Sequence, residues 1–564
     1  MTQQPLLAPR RLTAVAFIFV LVVNLLACLV LAGQIGAVAH LPFANDEAVH
    51  ANGGLELALD LKAGDVPGFF AHTYGQAYYP PAQSWLLAPA FVLFGATETV
   101  ARTVSLACLF FSVLLLFAIG LELHERYGWL AGLLAALFPF TSQQSLTISA
   151  MTMQEPAGLL FTLIAVWLYI RALRVSVVNP SPAYRYLVLA SLALVTVTLS
   201  KYLFGVYLGT TFVAARALEA RFRPKRFLSR ANLALFGPAA ILLALWFLDT
   251  SKLSDFWRYA NVPSLQADEF GLEQYTFYWR SIVVHYTAAL PLGLLLLAGF
   301  VYGLARWRNP TLIVLALHIL VAIAGMTIRR TINPRFVYVA VPLIYLLGGV
   351  LAARIVDALR GSGAGWLRAA AGVAALVALA ASLPGIRDRY MSYPAMLQVQ
   401  IKTDPRAFEA YAWIAQNVPV DRRDILLLNY WDAFSGEGLK WYLLSRDATP
   451  GRRFAEVSVA PRYAWPVNVE TLPDFQRTLD ELGVNTLIGF AGGPEGNGRA
   501  WLESQPAIGE GLDFVGQAEF DMAQWDRKLL LELRDSAFSQ ANALAEALQQ
   551  YSYPYRVTAT IYGK

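Results

Sequence analysis

Two carboxylates stand side by side in Asn45-Asp46-Glu47-Ala48-Val49-His50, shortly after a long apolar run ends. A carboxylate held beside an apolar surface can accept a proton in a partly dehydrated setting, so general-base chemistry is what this pair could supply. The same two residues would also open a helix, with Asp46 as its N-cap and Glu47 in its first turn. A third acid, Glu155, lies in Met153-Gln154-Glu155-Pro156, and an acid followed by proline is again a good helix start. Cations that could hold an anionic group are Lys201, in Leu199-Ser200-Lys201-Tyr202, and Arg329, Arg330 and Arg335, which share one loop. Between these come His72 and Tyr79, at the ends of the aromatic stretch His72-Thr73-Tyr74-Gly75-Gln76-Ala77-Tyr78-Tyr79 that leads into Pro80-Pro81. Neither His50 nor His72 has a spacing that defines a metal site.

The elements that must position these residues follow from composition. Of 564 residues, 57% are hydrophobic and 15% charged, with a mean hydropathy of +0.47, which excludes an ordinary soluble enzyme and fits a multi-span membrane protein. Apolar runs fill the chain to about Leu383, and soluble frequencies return after it. Two domains are expected: a transmembrane domain over 1–384, with interfacial helices in its first outer loop at 39–97, and a soluble α/β domain over 385–564. Cys28 and Cys108 both sit inside apolar runs, which gives neither a disulfide framework nor a metal motif.

Eleven spans are expected: 12–38, 98–121, 129–148, 156–173, 186–200, 203–218, 232–249, 283–304, 311–328, 336–357 and 369–384. With the N-terminus cytoplasmic, the inner loops receive Arg126, Arg171, Arg174, Arg185, Arg216, Arg221, Arg223, Arg230, Arg306, Arg308, Arg354 and Arg360, the positive-inside pattern. Basic residues distributed in this way report topology and give no reason to expect nucleic acid. The threading sets Asp46, Glu47, Glu155, Lys201 and Arg335 on the outer side, together with everything after Gly385. The short pair 186–200 and 203–218, split at Ser200-Lys201, decides this, since merging it would reverse the orientation of the tail.

Within the first outer loop, Glu47 to Lys62 mixes apolar residues with charges and suits a helix lying in the interface. Trp85 to Phe94 is too short to cross and is expected as a second interfacial or re-entrant helix. In the tail, Phe408–Asn417, Leu472–Leu482 and Ala537–Gln550 read as helices, while Asp424–Leu428, Thr486–Phe490 and Lys528–Leu533 read as strands. The glycine-rich run Gly492–Gly498 opens no helix and is expected as a surface loop.

The order of motifs resembles the GT-C glycosyltransferases, above all the aminoarabinose transferases, the protein O-mannosyltransferases and their bacterial relatives. The likeness covers about residues 12–357 and rests on Asp46-Glu47-Ala48, Gly64-Asp65, Pro80-Pro81, a helix starting at Trp85, Gly95, the acid at Glu155, the turn at Lys201, and Pro334-Arg335-Phe336-Val337-Tyr338 followed by Val341-Pro342. It departs from the aminoarabinose transferases at Tyr79, where they carry a lysine, and at Glu155, where aspartate is more usual. The resemblance implies a plasma (inner) membrane enzyme that moves a sugar from a polyprenyl-phosphate donor to an extracytoplasmic lipid, glycan or protein acceptor. In that reading Asp46 is the base of an inverting transfer, with Glu47 and Glu155 beside it. Lys201, Arg329, Arg330, Arg335, Tyr79 and His72 bind substrate or phosphate, and a divalent metal is an open possibility at Glu155. A transporter or flippase, or a membrane scaffold with an outer binding domain, is the competing expectation. Charges gathered at one surface and no visible repeat argue against a carrier.

Overall fold

The computed structural model describes residues 10–176, 180–223, 229–260, 271–329 and 333–361, parts of 365–387, and, in the tail, 406–418, 424–428, 436–446, 458–460, 483–491, 512–525 and 552–563, with positions 227 and 479. In chain order the helices are α1 (Arg10–Ala37), α2 (Asn45–Ala63), α3 (Val66–Gly75), α4 (Ala82–Phe94), α5 (Glu98–Leu123), α6 (Gly128–Leu137), α7 (Gln143–Ser149), α8 (Gln154–Ser176), α9 (Pro180–Ser200), α10 (Tyr202–Glu219), α11 (Arg230–Trp246), α12 (Thr250–Ala260), α13 (Leu272–His285), α14 (Leu290–Ala305), α15 (Pro310–Ile328), α16 (Val341–Gly361), α17 (Ala407–Asn417) and α18 (Gly436–Arg446). Single 3-10 turns occupy Phe138–Thr141 and Pro334–Val339. The chain forms two compact units, and the segment 39–97 belongs largely with the tail: one unit takes Met1–Gly33, Tyr74–Gln83 and Ser105–Tyr390, the other Gln34–Thr73, Ser84–Val104 and Met391–Lys564.

The first unit is a polytopic helical bundle. Among the described residues six helices are long and apolar enough to cross a membrane: Arg11–Ala37, Glu98–Leu123, Gln154–Ser176, Pro182–Ser200, Pro310–Ile328 and Val341–Arg360. A seventh arises if α11 and the start of α12, bent by 98°, form one broken span. Several expected spans are interrupted. The run 129–148 breaks at the 3-10 turn containing Pro139, and 283–304 breaks between α13 and α14, leaving Leu290–Ala305 as a shorter apolar helix. The expected span 369–384 lies mostly outside the described residues. By contrast, 186–200 and 203–218 are two separate helices, with Lys201 extended (φ −161°) between them.

Glycines let some helices of this unit touch backbone to backbone, which is how apolar helices gain contact where lipid offers no hydrophobic drive. A Cβ on Gly120 of α5 would come within 2.2 Å of Gly132 of α6, and one on Gly299 of α14 within 2.6 Å of Gly348 of α16. Elsewhere the apolar side chains point outward, as at Phe17, Ile18 and Phe19 on α1 and Leu233, Ile241 and Leu245 on α11. A surface of this kind is stable against lipid tails and not against water.

The second unit joins the first-loop helices to a five-stranded sheet. Its strands are β1 (Asp424–Leu428), β2 (Ser458–Ala460), β3 (Thr486–Ala491), β4 (Asp513–Trp525) and β5 (Ser552–Gly563), in the order β2-β1-β3-β5-β4. β2, β1 and β3 run parallel, and β5 pairs antiparallel with both β3 and β4. α18 falls between the parallel strands β1 and β2 in the chain, which gives the expected α/β character. β1 and β3 stand where the sequence places them, while β4 and β5 escape it. The expected elements at Lys528–Leu533 and Ala537–Gln550, the loop Gly492–Gly498 and nearly all of Leu472–Leu482 fall outside the described residues.

Helix α2 starts two residues earlier than expected. Ala44, not Asp46, is the N-cap, and Gly64 closes the helix in the left-handed region (φ 68°), donating its N–H to the carbonyls of Asp60 and Leu61. Gly54 lets α4 approach α2, since a Cβ there would meet Leu87 Cβ at 2.5 Å. The main anchor between α2, α4 and the tail is Trp441 of α18. It is 1% exposed, packs against Phe43 (5.0 Å between centroids) and Phe91 (5.6 Å), and donates its indole N–H to Glu98 Oε1 at 3.0 Å. Asn52 donates to the Glu437 carboxylate at 2.8 Å and Lys440 reaches Glu56 at 2.6 Å along the same helix pair. Trp441→Ala is expected to cost about 3–5 kcal/mol and to release the first-loop helices to protease. Limited proteolysis and thermal melting of the purified variant check this, and a wild-type pattern in both would remove Trp441 as the anchor.

Candidate active site

In the first unit, the start of α8 places Glu155 against the break between α9 and α10 and against the turn at Pro334–Val339. Glu155 is 1% exposed, and its Oε1 accepts from Lys201 Nζ at 2.7 Å with Arg335 Nε at 3.8 Å. The break explains Lys201: with α9 ended at Ser200 and α10 begun at Tyr202, the extended residue between them aims its side chain across to Glu155. Aromatic faces complete the surroundings, with Lys201 Nζ 4.9 Å from the Phe336 ring and 5.4 Å from the Phe204 ring, and the Arg335 guanidinium 5.3 Å from Phe336. Asn333 caps the turn by accepting from the Arg335 N–H at 3.1 Å. Tyr286 holds the turn by donating to the Pro334 carbonyl at 2.8 Å, and Tyr338 pairs with Ser149 Oγ at 2.9 Å. Burial pushes the Tyr338 phenol up, so it stays neutral and able to share that proton.

One buried carboxylate thus holds two cations, Lys201 and Arg335, side by side in a setting where charge is weakly screened. Such a cluster can take up an anion. Close by in the same unit runs the aromatic turn from the first outer loop. Gln154, next to Glu155, donates to the Pro80 carbonyl at 3.3 Å, and Tyr202, next to Lys201, donates to the Ala77 carbonyl at 2.7 Å. Tyr202 Oη in turn accepts from the Trp246 indole at 3.1 Å. Tyr79 is half-buried in this turn, edge-on to Tyr78 at 4.7 Å. Arg329 ends α15 half-buried, and Arg330 lies outside the described residues.

In the second unit the two adjacent acids have separate environments. Glu47 is 0% exposed and forms two hydrogen bonds with Arg102, itself 0% exposed, from Nε and Nη2 at 3.1 Å each. Its Oε2 also takes the Ala44 N–H at 3.3 Å, while Arg102 Nη1 donates to the Val38 carbonyl at 3.3 Å. Asp46, in the same helical turn, keeps partial exposure. His72 pairs with Asp60 at 2.7 Å with its side chain 35% exposed.

No group of three or more His, Cys, Asp or Glu side chains gathers among the described residues. At Glu155 the donor set does not suit a divalent metal either, because Lys201 and Arg335 already face that carboxylate and would repel a second cation.

Residues 79–224 match the family model for dolichyl-phosphate-mannose-protein mannosyltransferase. None of the curated proteins matches the sequence. Among solved structures, ArnT from Cupriavidus metallidurans bound to undecaprenyl phosphate superposes with a TM-score of 0.54 at 14% identity, over 88% of this chain and 96% of that one. The oligosaccharyltransferase of Archaeoglobus fulgidus in its apo form gives 0.54 at 16% identity, over 84% and 69%. The fold is that of the GT-C glycosyltransferases. AglB from Archaeoglobus fulgidus, in complex with an inhibitory peptide and a dolichol-phosphate, gives 0.50 at 14% identity, over 83% and 69%. The family match within the GT-C fold includes Tyr79, Glu155 and Lys201 and ends before Arg335.

Sequence reasoning missed Arg102, which reads as one charge at the start of an apolar run. It also missed Lys252 of α12. That ammonium is buried 3.0 Å from the Tyr74 ring centroid and 3.6 Å from that of Trp246, and it donates to the Tyr74 carbonyl. The short helix around Lys252 carries no motif; only the aromatic excess at Tyr74–Tyr79 hinted that a cation would be needed nearby. For the Glu47–Arg102 pair, Glu47→Gln alone is expected to cost about 3–5 kcal/mol by leaving a buried guanidinium uncompensated. Thermal melts of Glu47→Gln, Arg102→Met and the double variant check this. The double variant should recover part of the loss, and strictly additive losses would deny the coupling.

Proposed function

We propose that the protein is a membrane glycosyltransferase that moves a sugar from a polyprenyl-phosphate donor to a hydroxyl on a lipid, glycan or protein acceptor at the outer face of the plasma (inner) membrane. The observation that carries this reading is the buried Glu155 carboxylate with Lys201 and Arg335 gathered on it, a pair of cations beside the aromatic turn at Ala77–Pro80. The family description names a dolichyl-phosphate sugar, and the matched ArnT and AglB structures hold undecaprenyl phosphate and dolichol-phosphate. These lend support to a phosphate-linked lipid as the ligand.

In this reading the cations receive the donor phosphate and Glu155 positions them. Asp46 takes the proton from the acceptor hydroxyl as its oxygen attacks the anomeric carbon. The new carbon–oxygen bond forms opposite the breaking bond to phosphate, so the configuration inverts, and the polyprenyl phosphate leaves with the bonding electrons. A phosphate is already a stable leaving group, so the work left to the protein is proton removal and charge stabilisation. Asp46 suits the base role better than Glu47, whose oxygens are occupied by Arg102 and Ala44. Glu47 holds the start of α2. Tyr79, His72, Arg329 and Arg330 complete the expected substrate contacts.

Asp46→Asn is expected to lower transfer by about 10²–10⁴-fold with donor binding and folding retained, and the product anomer, read by NMR, should be inverted. Near wild-type transfer by that variant would reduce Asp46 to part of a helix start. Arg335→Ala should weaken binding of a labelled polyprenyl-phosphate sugar by about 10–100-fold, the loss of one charge-assisted contact. Unchanged donor affinity would take Arg335 out of the phosphate site. For orientation, a cysteine at Ser435 should react with an impermeant thiol reagent from outside and one at Ser229 should not; the reverse pattern would overturn the arrangement.

A further inference from the structure

A second cationic site lies in the helical unit, away from Glu155. A cavity of about 630 Å³ is lined by Arg126, Tyr302, Arg306, Arg354, Asp357, Ala358 and Arg360. It gathers the loop after α5, the C-terminal end of α14 and the last turns of α16, helices from a bundle whose close backbone contacts include Gly299 against Gly348. Four guanidinium groups and one carboxylate line it. Arg126 reaches Asp357 at 3.7 Å, and Arg360 donates to the Tyr127 hydroxyl at 3.1 Å. Arg306 lies over the Tyr302 ring at 5.4 Å, and Arg354 makes no hydrogen bond or ion pair among the described residues.

Carbonyl ends of helices attract cations, and positive residues on one side of a membrane are general. Either rule would be met by arginines spread around the rim. Here four of them line a single concavity, so that an anion entering it would meet several guanidinium groups at once. Arginine is the side chain that grips phosphate through two parallel N–H bonds. The depth also favours a lipid source. α5 and α16 are membrane-spanning helices that end at this cavity, and Trp307 beside it is 54% exposed, as an aromatic at the headgroup level would be. We propose that this cavity binds the phosphate headgroup of an anionic phospholipid, at a site separate from the one that receives the donor.

Purified full-length protein in neutral detergent would be titrated with phosphatidylglycerol, with phosphatidylcholine of the same acyl chains, and with sodium phosphate, the binding read by native mass spectrometry and by thermal stabilisation. Phosphatidylglycerol should bind and stabilise at concentrations where phosphatidylcholine does neither, and inorganic phosphate should need about 100-fold more, lacking the acyl chains. The exposed double variant R306Q/R354Q should lose about tenfold or more in phosphatidylglycerol affinity. The control R185Q/R230Q, which removes two exposed arginines elsewhere, should keep it. Should R306Q/R354Q fold poorly, R306K/R354K preserves the charge and loses the paired N–H geometry, and its affinity should still fall. Equal binding of phosphatidylcholine, unchanged affinity in the cavity variants, or an equal loss in the control would overturn the proposal. Binding of inorganic phosphate as tight as that of the lipid would replace the headgroup by a free anion.

Discussion

A carboxylate deprived of water must be met by positive charge, and at Glu155 that requirement draws three distant stretches of the chain together. Dehydrating such an ion costs several kcal/mol that only close cations and hydrogen bonds return. Lys201 supplies one from the break between α9 and α10, and Arg335 the other from the turn before α16. Phe204 and Phe336 fill the remaining space with ring faces, which tolerate an ammonium or guanidinium while keeping water away. Gln154 and Tyr202, which tie the turn at Ala77–Pro80 to the same region, are the immediate neighbours of Glu155 and Lys201 in sequence. Fixing the ion pair therefore also fixes where the first-loop turn rests.

The adjacent acids of α2 show how one helical step separates two roles. Successive residues on a helix point about 100° apart. Glu47 turns inward onto Arg102 and is fully enclosed, whereas Asp46 keeps contact with its surroundings. A neutralised carboxylate in that position fixes the start of the helix. The carboxylate beside it stays partly exposed. The division depends on register alone, and a slip of one residue would exchange the two.

Much of this was readable from the sequence, and the remainder has a common cause. Glu155, Lys201 and Arg335 were each visible as charges at the ends of apolar runs, and the split at Ser200-Lys201 is a true break between helices. β1 and β3 announced themselves as short apolar runs between turn residues. Partnership was not visible. Arg102 lies 55 residues from Glu47, and Lys252 lies 178 residues from the Tyr74 carbonyl it caps, so no local spacing could pair them. Nor was helix continuity: runs such as 129–148 look unbroken in hydropathy, yet proline and packing divide them. The long β4 and β5 strands alternate polar and apolar residues too irregularly to stand out.

The pairing of α2 with α18 has a bearing on how the chain is made. Asn52 and its partner Glu437 are separated by 385 residues, so the helix that carries Asp46 emerges from the ribosome long before the helix that seals its flank. Contacts of such wide separation form late and slowly. Until the tail arrives, the faces of Phe43 and Phe91 that later meet Trp441 lack that partner. A late-made helix thus completes the fold of a segment made near the start, and a molecule interrupted before α18 would present chaperones and proteases with an open apolar groove beside α2.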